Sequence, residues 1–263
     1  MGKCCSKGPK VDIEKYSDFH QEEPPTPTND CDKEFLTVKG ENATFACGQM
    51  WDRQAQLSID PGVIRTRVGY STGKKMMPEF SDKFADHVAI IDIEFDPSKT
   101  SYENLLNKFW SIHDPTQFNE KPYHTKILYH NIDQKHAAEN GLMTLDRKLT
   151  KFNYKPPLKR VRTDIEPAKH IFLASMENQH HLLQEDEFLS KVANCSTPKE
   201  LVYSHLASKL NAFVSGYATV EEVEAQAESL GLKPLVVAYL KDKIPGIQKT
   251  EEGFYTIYDE SKL

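Results

Sequence analysis

The chain has 263 residues, of which 38% are hydrophobic and 27% are charged, so it is long and apolar enough to form a sizeable core. Its formal net charge of −6 at pH 7 provides no overall positive field for nucleic acid. No apolar run approaches the ~20 residues that a membrane-spanning helix needs. The five cysteines are scattered and follow no secretory signal, which favours a reducing cytoplasm over a disulfide framework.

The N-terminus carries a lipidation pattern. The first six residues, MGKCCS, match the N-myristoylation motif, in which Gly2 receives the acyl chain. One myristoyl chain binds membranes only marginally, and palmitoylation of Cys4 and Cys5 would supply the second attachment that stable anchoring needs. The alternative is a leader with two incidental thiols. Because QEEPPTPTND follows, we expect residues 1–32 to be a disordered leader that tethers the protein to the cytoplasmic face of a membrane, or leaves it cytoplasmic without lipids.

Strand and helix patterns alternate over residues 33–183. KGENATFACG predicts a strand, MWDRQAQLSID a helix and VIRTRVGYSTG a second strand. VAIIDIEF alternates as a half-buried strand does, and SYENLLNKFWSIHD places Leu105, Phe109 and Ile112 on one helix face. HTKILYHN and DQKHAAENGLMTLDRKLTKF then predict a strand and a helix. This order predicts an α+β fold, a ferredoxin-like split βαβ two-layer sandwich.

Residues 184–263 change to helical patterns only. The apolar spacings predict three short helices, broken by Gly216, Gly231 and Pro234. We expect a C-terminal helical extension, which either packs on the preceding domain or forms a small satellite.

Four segments together resemble peptide-methionine (S)-S-oxide reductase, the MsrA family. They are ENATFACGQMWD, PGVIRTRVGYSTG, IEFDPSKTSYENLLNKFWSIHDPTQ and ILYHNIDQKHAAE, in the family's order. The resemblance implies the MsrA fold and its chemistry. A cysteine thiolate at a helix N-terminus attacks the sulfur of methionine S-sulfoxide while a carboxylic acid protonates the oxygen. A second cysteine, thioredoxin or another thiol then reduces the sulfenic acid, and no cofactor is implied.

The residues that carry this chemistry in the family are replaced here. The family's G-C-F-W turn falls on residues 48–51, so Gln49 stands at the nucleophile position. The glutamate that follows a histidine in the family corresponds to Ala89, after His87. Cys47 is the only candidate for a displaced nucleophile, and the alternative is a small buried strand cysteine. His87 either donates a proton or packs near the start of its strand.

The resemblance also implies a substrate pocket. Its members here are Met50, Trp51, Tyr70, Tyr123 and His87, where the two tyrosines match those that hydrogen-bond the sulfoxide oxygen in the family. Either tyrosine would otherwise be a sheet-edge aromatic. The family's A-E-x-Y-H-Q segment falls on residues 174–179, where its tyrosine and histidine are absent. No metal site is expected, because the remaining histidines lack the spacing of zinc ligands.

Three hypotheses follow for the function. In the first, the chain is a catalytically impaired, monomeric member of the MsrA fold that binds methionine-sulfoxide-containing proteins or peptides at a membrane, without nucleic acid. In the second, it is an active reductase that uses Cys47 and is recycled by thioredoxin or glutathione. In the third, the function lies in the anchor and the helical tail alone.

Overall fold

The structure is a computed structural model that describes residues 25–27, 29–35, 38–73, 87–120, 122–151 and 160–247. The predicted lipidation sites Gly2, Cys4 and Cys5 lie outside these residues, as does most of the predicted tether. None of the helices in the described ranges combines the length and apolar character needed to cross a membrane.

One open sheet of six strands forms the centre of the described fold, in the order β5-β4-β1-β3-β2-β6. The central strand β1 pairs antiparallel with β3 on one side and with β4 on the other, and β2 pairs antiparallel with β3. The strands are β1 (Glu41–Ala46), β2 (Val63–Ser71), β3 (Val88–Phe95), β4 (Lys126–Tyr129), β5 (Asp164–Pro167) and β6 (Phe172–Leu173).

Helices connect these strands as two interleaved units. Helix α2 joins β1 to β2 with β3 lying between them, and α3 joins β3 to β4 with β1 between them. The predicted α+β, ferredoxin-like split βαβ fold is therefore confirmed. The described helices are α1 (Asp30–Phe35), α2 (Met50–Ser58), α3 (Tyr102–Ser111), α4 (Ile132–Lys151), α5 (His181–Gln184), α6 (Glu187–Ala193), α7 (Pro198–Tyr203), α8 (His205–Phe213), α9 (Val220–Ala227) and α10 (Pro234–Ile247).

The main core lies between one face of the sheet and helices α2, α3 and α4. Helix α3 begins where the side chain of Ser101 accepts a hydrogen bond from the Asn104 backbone N–H (3.2 Å), which satisfies one of the unpaired donors of its first turn. The predicted apolar face is confirmed, because Leu105, Phe109 and Ile112 are all buried. Phe109 stacks on Phe45 of β1 with ring centroids 4.9 Å apart. This packing holds β1, and the turn that follows it, against the helical layer.

The other face of β3 differs from the sequence prediction of a half-buried strand. Its polar residue Asp92 is only 1% exposed. Asp92 stands opposite Arg67 in the β2–β3 register, and the Arg67 guanidinium donates to its carboxylate from Nε (3.1 Å) and Nη2 (2.5 Å). Thr44 of β1 adds a third hydrogen bond to the same carboxylate (2.7 Å). A buried carboxylate is tolerated only with such partners, and here the neighbouring strands supply them.

The C-terminal extension packs on the domain rather than forming a satellite. Buried Lys209 of α8 donates from Nζ to the carbonyl oxygens of Ser58 (2.9 Å) and Asp60 (2.6 Å), at the C-terminal end of α2. Ser208 accepts a hydrogen bond from the backbone N–H of Thr66 on β2 (3.0 Å). Helix α8 thus provides a donor to carbonyls at the C-terminal end of α2 and an acceptor to a backbone N–H of β2.

Both of the expected domain boundaries fall within helices. The expected boundary at residue 32 falls inside α1, where the Asp32 carboxylate accepts a hydrogen bond from the N–H of Leu206 in α8 (3.0 Å). The boundary between residues 183 and 184 falls inside α5. Residues 29–35 are therefore part of the folded body, docked on the helical extension.

Candidate functional site

The turn between β1 and α2 forms the centre of the candidate site. Gly48 has φ of 92°, in the left-handed region, and a side chain there would meet no atom within 4 Å, so backbone conformation rather than space requires glycine. Gln49 follows as the N-cap of α2, with extended dihedrals (φ −68°, ψ 128°). Its side chain is exposed and makes no capping hydrogen bond. The backbone N–H groups of the first turn of α2, which have no partner within the helix, therefore lie beside the side-chain amide of Gln49.

Cys47 lies on the strand side of this turn and belongs to the core. It is 4% exposed and packs in the main hydrophobic cluster. Burial raises the pKa of its thiol to about 12, an effect that the charge of Arg53 only partly offsets. At neutral pH the thiol is therefore protonated, whereas attack on a sulfoxide needs a thiolate.

The structure brings Tyr70, Ala89 and Tyr123 to the same end of the sheet. Tyr70 on β2 is paired with Ala89 on β3, and both are buried. The N–H of Ala89 donates to the carbonyl oxygen of Pro122 (2.8 Å), which places the adjacent Tyr123 at this end with 48% of its surface exposed. In the β1–β3 register Phe45 pairs with Ile91, so β1 ends, and the turn at Gly48 begins, at this same end of the sheet.

Trp51 is held by two residues that were not among the predicted site residues. Its indole Nε1–H donates to Oδ1 of Asn178 (2.9 Å), and the His181 ring stacks on the indole with centroids 3.9 Å apart and an interplanar angle of 23°. Met50, beside it, is buried. Asn178 falls in the segment that matches the family's A-E-x-Y-H-Q, so that match already pointed to the site. Nothing in the local sequence identifies His181.

The nearby histidines are packed side chains. His87 is buried, with Phe172 edge-to-face at 5.4 Å, and a Cβ added to Gly73 would come within 2.2 Å of its ring. This environment favours the packing alternative for His87. Burial lowers the pKa of His113 to about 4 and that of His180 to about 3, so both rings are neutral. Over the described ranges, no three His, Cys, Asp or Glu side chains come together to hold a metal.

The known proteins to which this chain is similar are peptide methionine sulfoxide reductases. The family model "Peptide methionine sulfoxide reductase" matches residues 41–209, which extends through most of α8. A peptide methionine sulfoxide reductase of Drosophila melanogaster is 32% identical over 201 residues, covering 76% of this chain and 78% of that protein. Peptide methionine sulfoxide reductase A5 of Oryza sativa subsp. japonica is 33% identical over 183 residues, covering 68% and 69%.

A solved structure, methionine sulfoxide reductase A of Corynebacterium diphtheriae, aligns with a TM-score of 0.49 at 20% identity, over 68% of this chain and 92% of that one. The family match covers more than half of the chain, and it includes the β1–α2 turn and both strands that carry Tyr70 and Ala89. The chain therefore belongs to the peptide methionine sulfoxide reductase family.

Proposed function

We propose that this member of the family binds methionine-sulfoxide side chains of proteins or peptides without reducing them, and does so at a membrane to which its N-terminus attaches it. The observation that carries the proposal is the identity and setting of Gln49. Gln49 occupies the N-cap position of α2, where the family has its cysteine. Its side chain is exposed and makes no capping hydrogen bond.

The chemistry of the replaced residues supports binding over reduction. The amide of Gln49 cannot act as the nucleophile that takes the oxygen from a sulfoxide, and the methyl of Ala89 cannot protonate that oxygen. An amide N–H can, however, donate a hydrogen bond to the sulfoxide oxygen, which is a strong acceptor. The partial positive charge at the N-terminus of α2 favours the same oxygen. The exposed Tyr123 at this end of the sheet adds a phenol as a further donor.

The environment of Cys47 speaks against the alternative of a displaced nucleophile. With a pKa of about 12, the thiolate fraction at pH 7 is on the order of 10⁻⁵, far below that of an exposed cysteine. The thiol is also buried among core side chains, so a sulfoxide would have to displace that packing to reach it. No observation in the described structure favours reduction through Cys47.

Reductase activity tests the absence of catalysis. The wild type, Cys47→Ser, and the double variant Gln49→Cys with Ala89→Glu would be assayed on a dabsylated methionine S-sulfoxide, with dithiothreitol and then thioredoxin as reductant. We expect no turnover by the wild type or by Cys47→Ser, and turnover by the double variant, because it restores a thiol and an acid to the family's positions. Wild-type turnover that Cys47→Ser abolishes would refute the proposal and establish the displaced nucleophile.

Ligand binding tests the role of Gln49 directly. Titration calorimetry with a methionine-S-sulfoxide peptide would compare the wild type with Gln49→Glu, which has nearly the same shape but replaces the donor amide with an acceptor. One lost hydrogen bond corresponds to about a 2- to 12-fold rise in Kd, and repulsion between the glutamate carboxylate and the sulfoxide oxygen raises Kd further. Gln49→Asn keeps the amide and is the matched control. Equal affinity of the wild type and Gln49→Glu would contradict the proposed recognition.

Membrane attachment rests on the motif MGKCCS alone and has its own test. In cells fed alkyne-tagged myristate or palmitate, we expect both labels on the wild type and a membrane-bound fraction. Gly2→Ala should lose the myristate label, and Cys4→Ser with Cys5→Ser should keep it but be released into the soluble fraction, because one acyl chain binds only marginally. Absence of both labels on the wild type would remove the anchor from the proposal.

A further inference from the structure

The segment after β6 folds back over the first turn of α2. It forms a short 3₁₀ turn (Met176–Asn178) and then α5, and it meets Trp51 twice, through the Asn178 hydrogen bond and through the His181 stack. Trp51 is the one aromatic that remains of the family's G-C-F-W turn. The contact therefore lies at the proposed binding site and not in a remote part of the molecule.

Several bonds hold this segment independently of Trp51. The buried amide of Gln179 is bonded to both the N–H (3.0 Å) and the carbonyl (2.7 Å) of Val68, in the manner of another strand residue. The backbone N–H of His180 donates to Oε1 of Gln54 (3.1 Å), and His180 adopts the left-handed conformation (φ 47°) that a non-glycine residue adopts only under strong local constraint. The neighbouring His181 is thus carried over α2 by a fixed backbone.

The His181 ring is itself oriented from two sides. Its Nδ1–H donates to the carbonyl of Glu177 (3.0 Å), and its Nε2 lies 3.3 Å from the carboxylate of Glu185. The indole of Trp51 is packed against the main hydrophobic cluster, while His181 covers one of its ring faces. Planar rings at 3.9 Å are in van der Waals contact, so that face has no room for a methyl group.

We propose that His181 is an intramolecular occupant of the aromatic face that a ligand methionine's methyl would use, so that a bound side chain must displace the imidazole. The inference rests on the proposed function and adds the regulation of that same site. His181 is 23% exposed and its partner Glu185 is 66% exposed, so the ring can swing towards solvent by breaking weak, solvated contacts.

The consequence for affinity follows from which group is displaced. Removal of the stacked ring frees the Trp51 face for a methyl group, and one aromatic contact corresponds to about a 2- to 12-fold change in Kd. The methyl is common to methionine and its sulfoxide. His181→Ala should therefore tighten binding of both peptides by the same factor, and the preference for the sulfoxide should remain that of the wild type.

Acrylamide quenching of tryptophan fluorescence tests the occlusion without any ligand. His181→Ala should raise the quenching constant of Trp51, while His181→Phe, which keeps a stacked ring, should not. The fluorescence of the other tryptophan, the fully buried Trp110, is measured in Trp51→Phe and subtracted from that of each protein. Equal quenching of the wild type and His181→Ala would overturn the inference.

Calorimetry on the same full-length proteins, with a methionine peptide and its S-sulfoxide form, tests displacement. Tighter binding of both peptides by His181→Ala and not by His181→Phe is the expected result. Unchanged affinities, with raised quenching, would overturn the claim that the ligand displaces His181. Absence of binding by every variant would refute the proposed function. The quenching measurement needs no ligand, so it shows separately whether His181 occludes Trp51.

Discussion

Replacing Lys209 with methionine removes a buried amine that hydrogen-bonds to the C-terminal end of α2, the helix that follows the Gly48 turn. Its Nζ donates to the carbonyls of Ser58 (2.9 Å) and Asp60 (2.6 Å), and a neutral amine still carries enough N–H groups for both bonds. Desolvation lowers the pKa of Lys209 to about 7, although the Asp60 charge acts in the opposite direction. The wild type therefore keeps its two hydrogen bonds as the amine loses its charge.

The sign of the pH dependence follows from the two pKa values. In the unfolded chain a lysine keeps its proton up to about pH 10, whereas folded Lys209 loses it near pH 7. Between these values the unfolded state binds more protons, so the free energy of unfolding rises with pH. Integrated from pH 7 to pH 9, this contribution is about 2 kcal/mol for the wild type and absent from Lys209→Met.

Urea unfolding, followed by tryptophan fluorescence at several pH values, measures this difference. At pH 9 we expect the wild type to be the more stable, because methionine removes two hydrogen bonds to carbonyls at the C-terminal end of α2. The advantage should shrink by about 2 kcal/mol at pH 7. Lys191→Met is the matched control, since that lysine is 72% exposed and should differ from the wild type equally at each pH. Parallel pH curves for the wild type and Lys209→Met would refute the reasoning.

Three further predictions concern the sheet and the turn. Asp92→Asn removes the closer of the two carboxylates that pair with the buried Arg67 guanidinium, while Glu94 remains at 3.9 Å, and should lower the free energy of unfolding by up to about 3–5 kcal/mol in urea titrations. A loss below about 1 kcal/mol would contradict the buried pair. Cys47 should stay unmodified by iodoacetamide at pH 8 in the folded protein and react after unfolding, as read by mass spectrometry, and rapid native labelling would contradict its burial. Gly69→Ala would place a Cβ 2.5 Å from the Phe172 carbonyl oxygen, so β6 should separate from β2. Acrylamide quenching of Trp51 should then rise, and unchanged quenching would show that the contact on Trp51 does not depend on β6.

The order of the elements was predictable because it depends on neighbours in the chain. Hydrophobic residues alternate with a period of two along β3 and recur about every 3.6 residues along α3, and each pattern lies within one short segment. The turn at Gly48 and the replacement at Gln49 are likewise local, since glycine and its neighbours alone define the residue that caps α2. The family and the fold therefore follow from the printed sequence.

The burial and the partners of the site residues were decided only by tertiary structure. The polar face of β3 appeared solvated because the alternation does not reveal that Arg67, 25 residues away, neutralises Asp92. Lys209 reaches the end of α2 across 151 residues, and His181 stacks on Trp51 across a comparable distance in the chain. Such pairs form when segments that are far apart in the chain are packed together, and their energies depend on the exclusion of water by this packing. The sequence alone therefore determined that a glutamine stands at the N-cap of α2, and packing decided which of the side chains around it are buried.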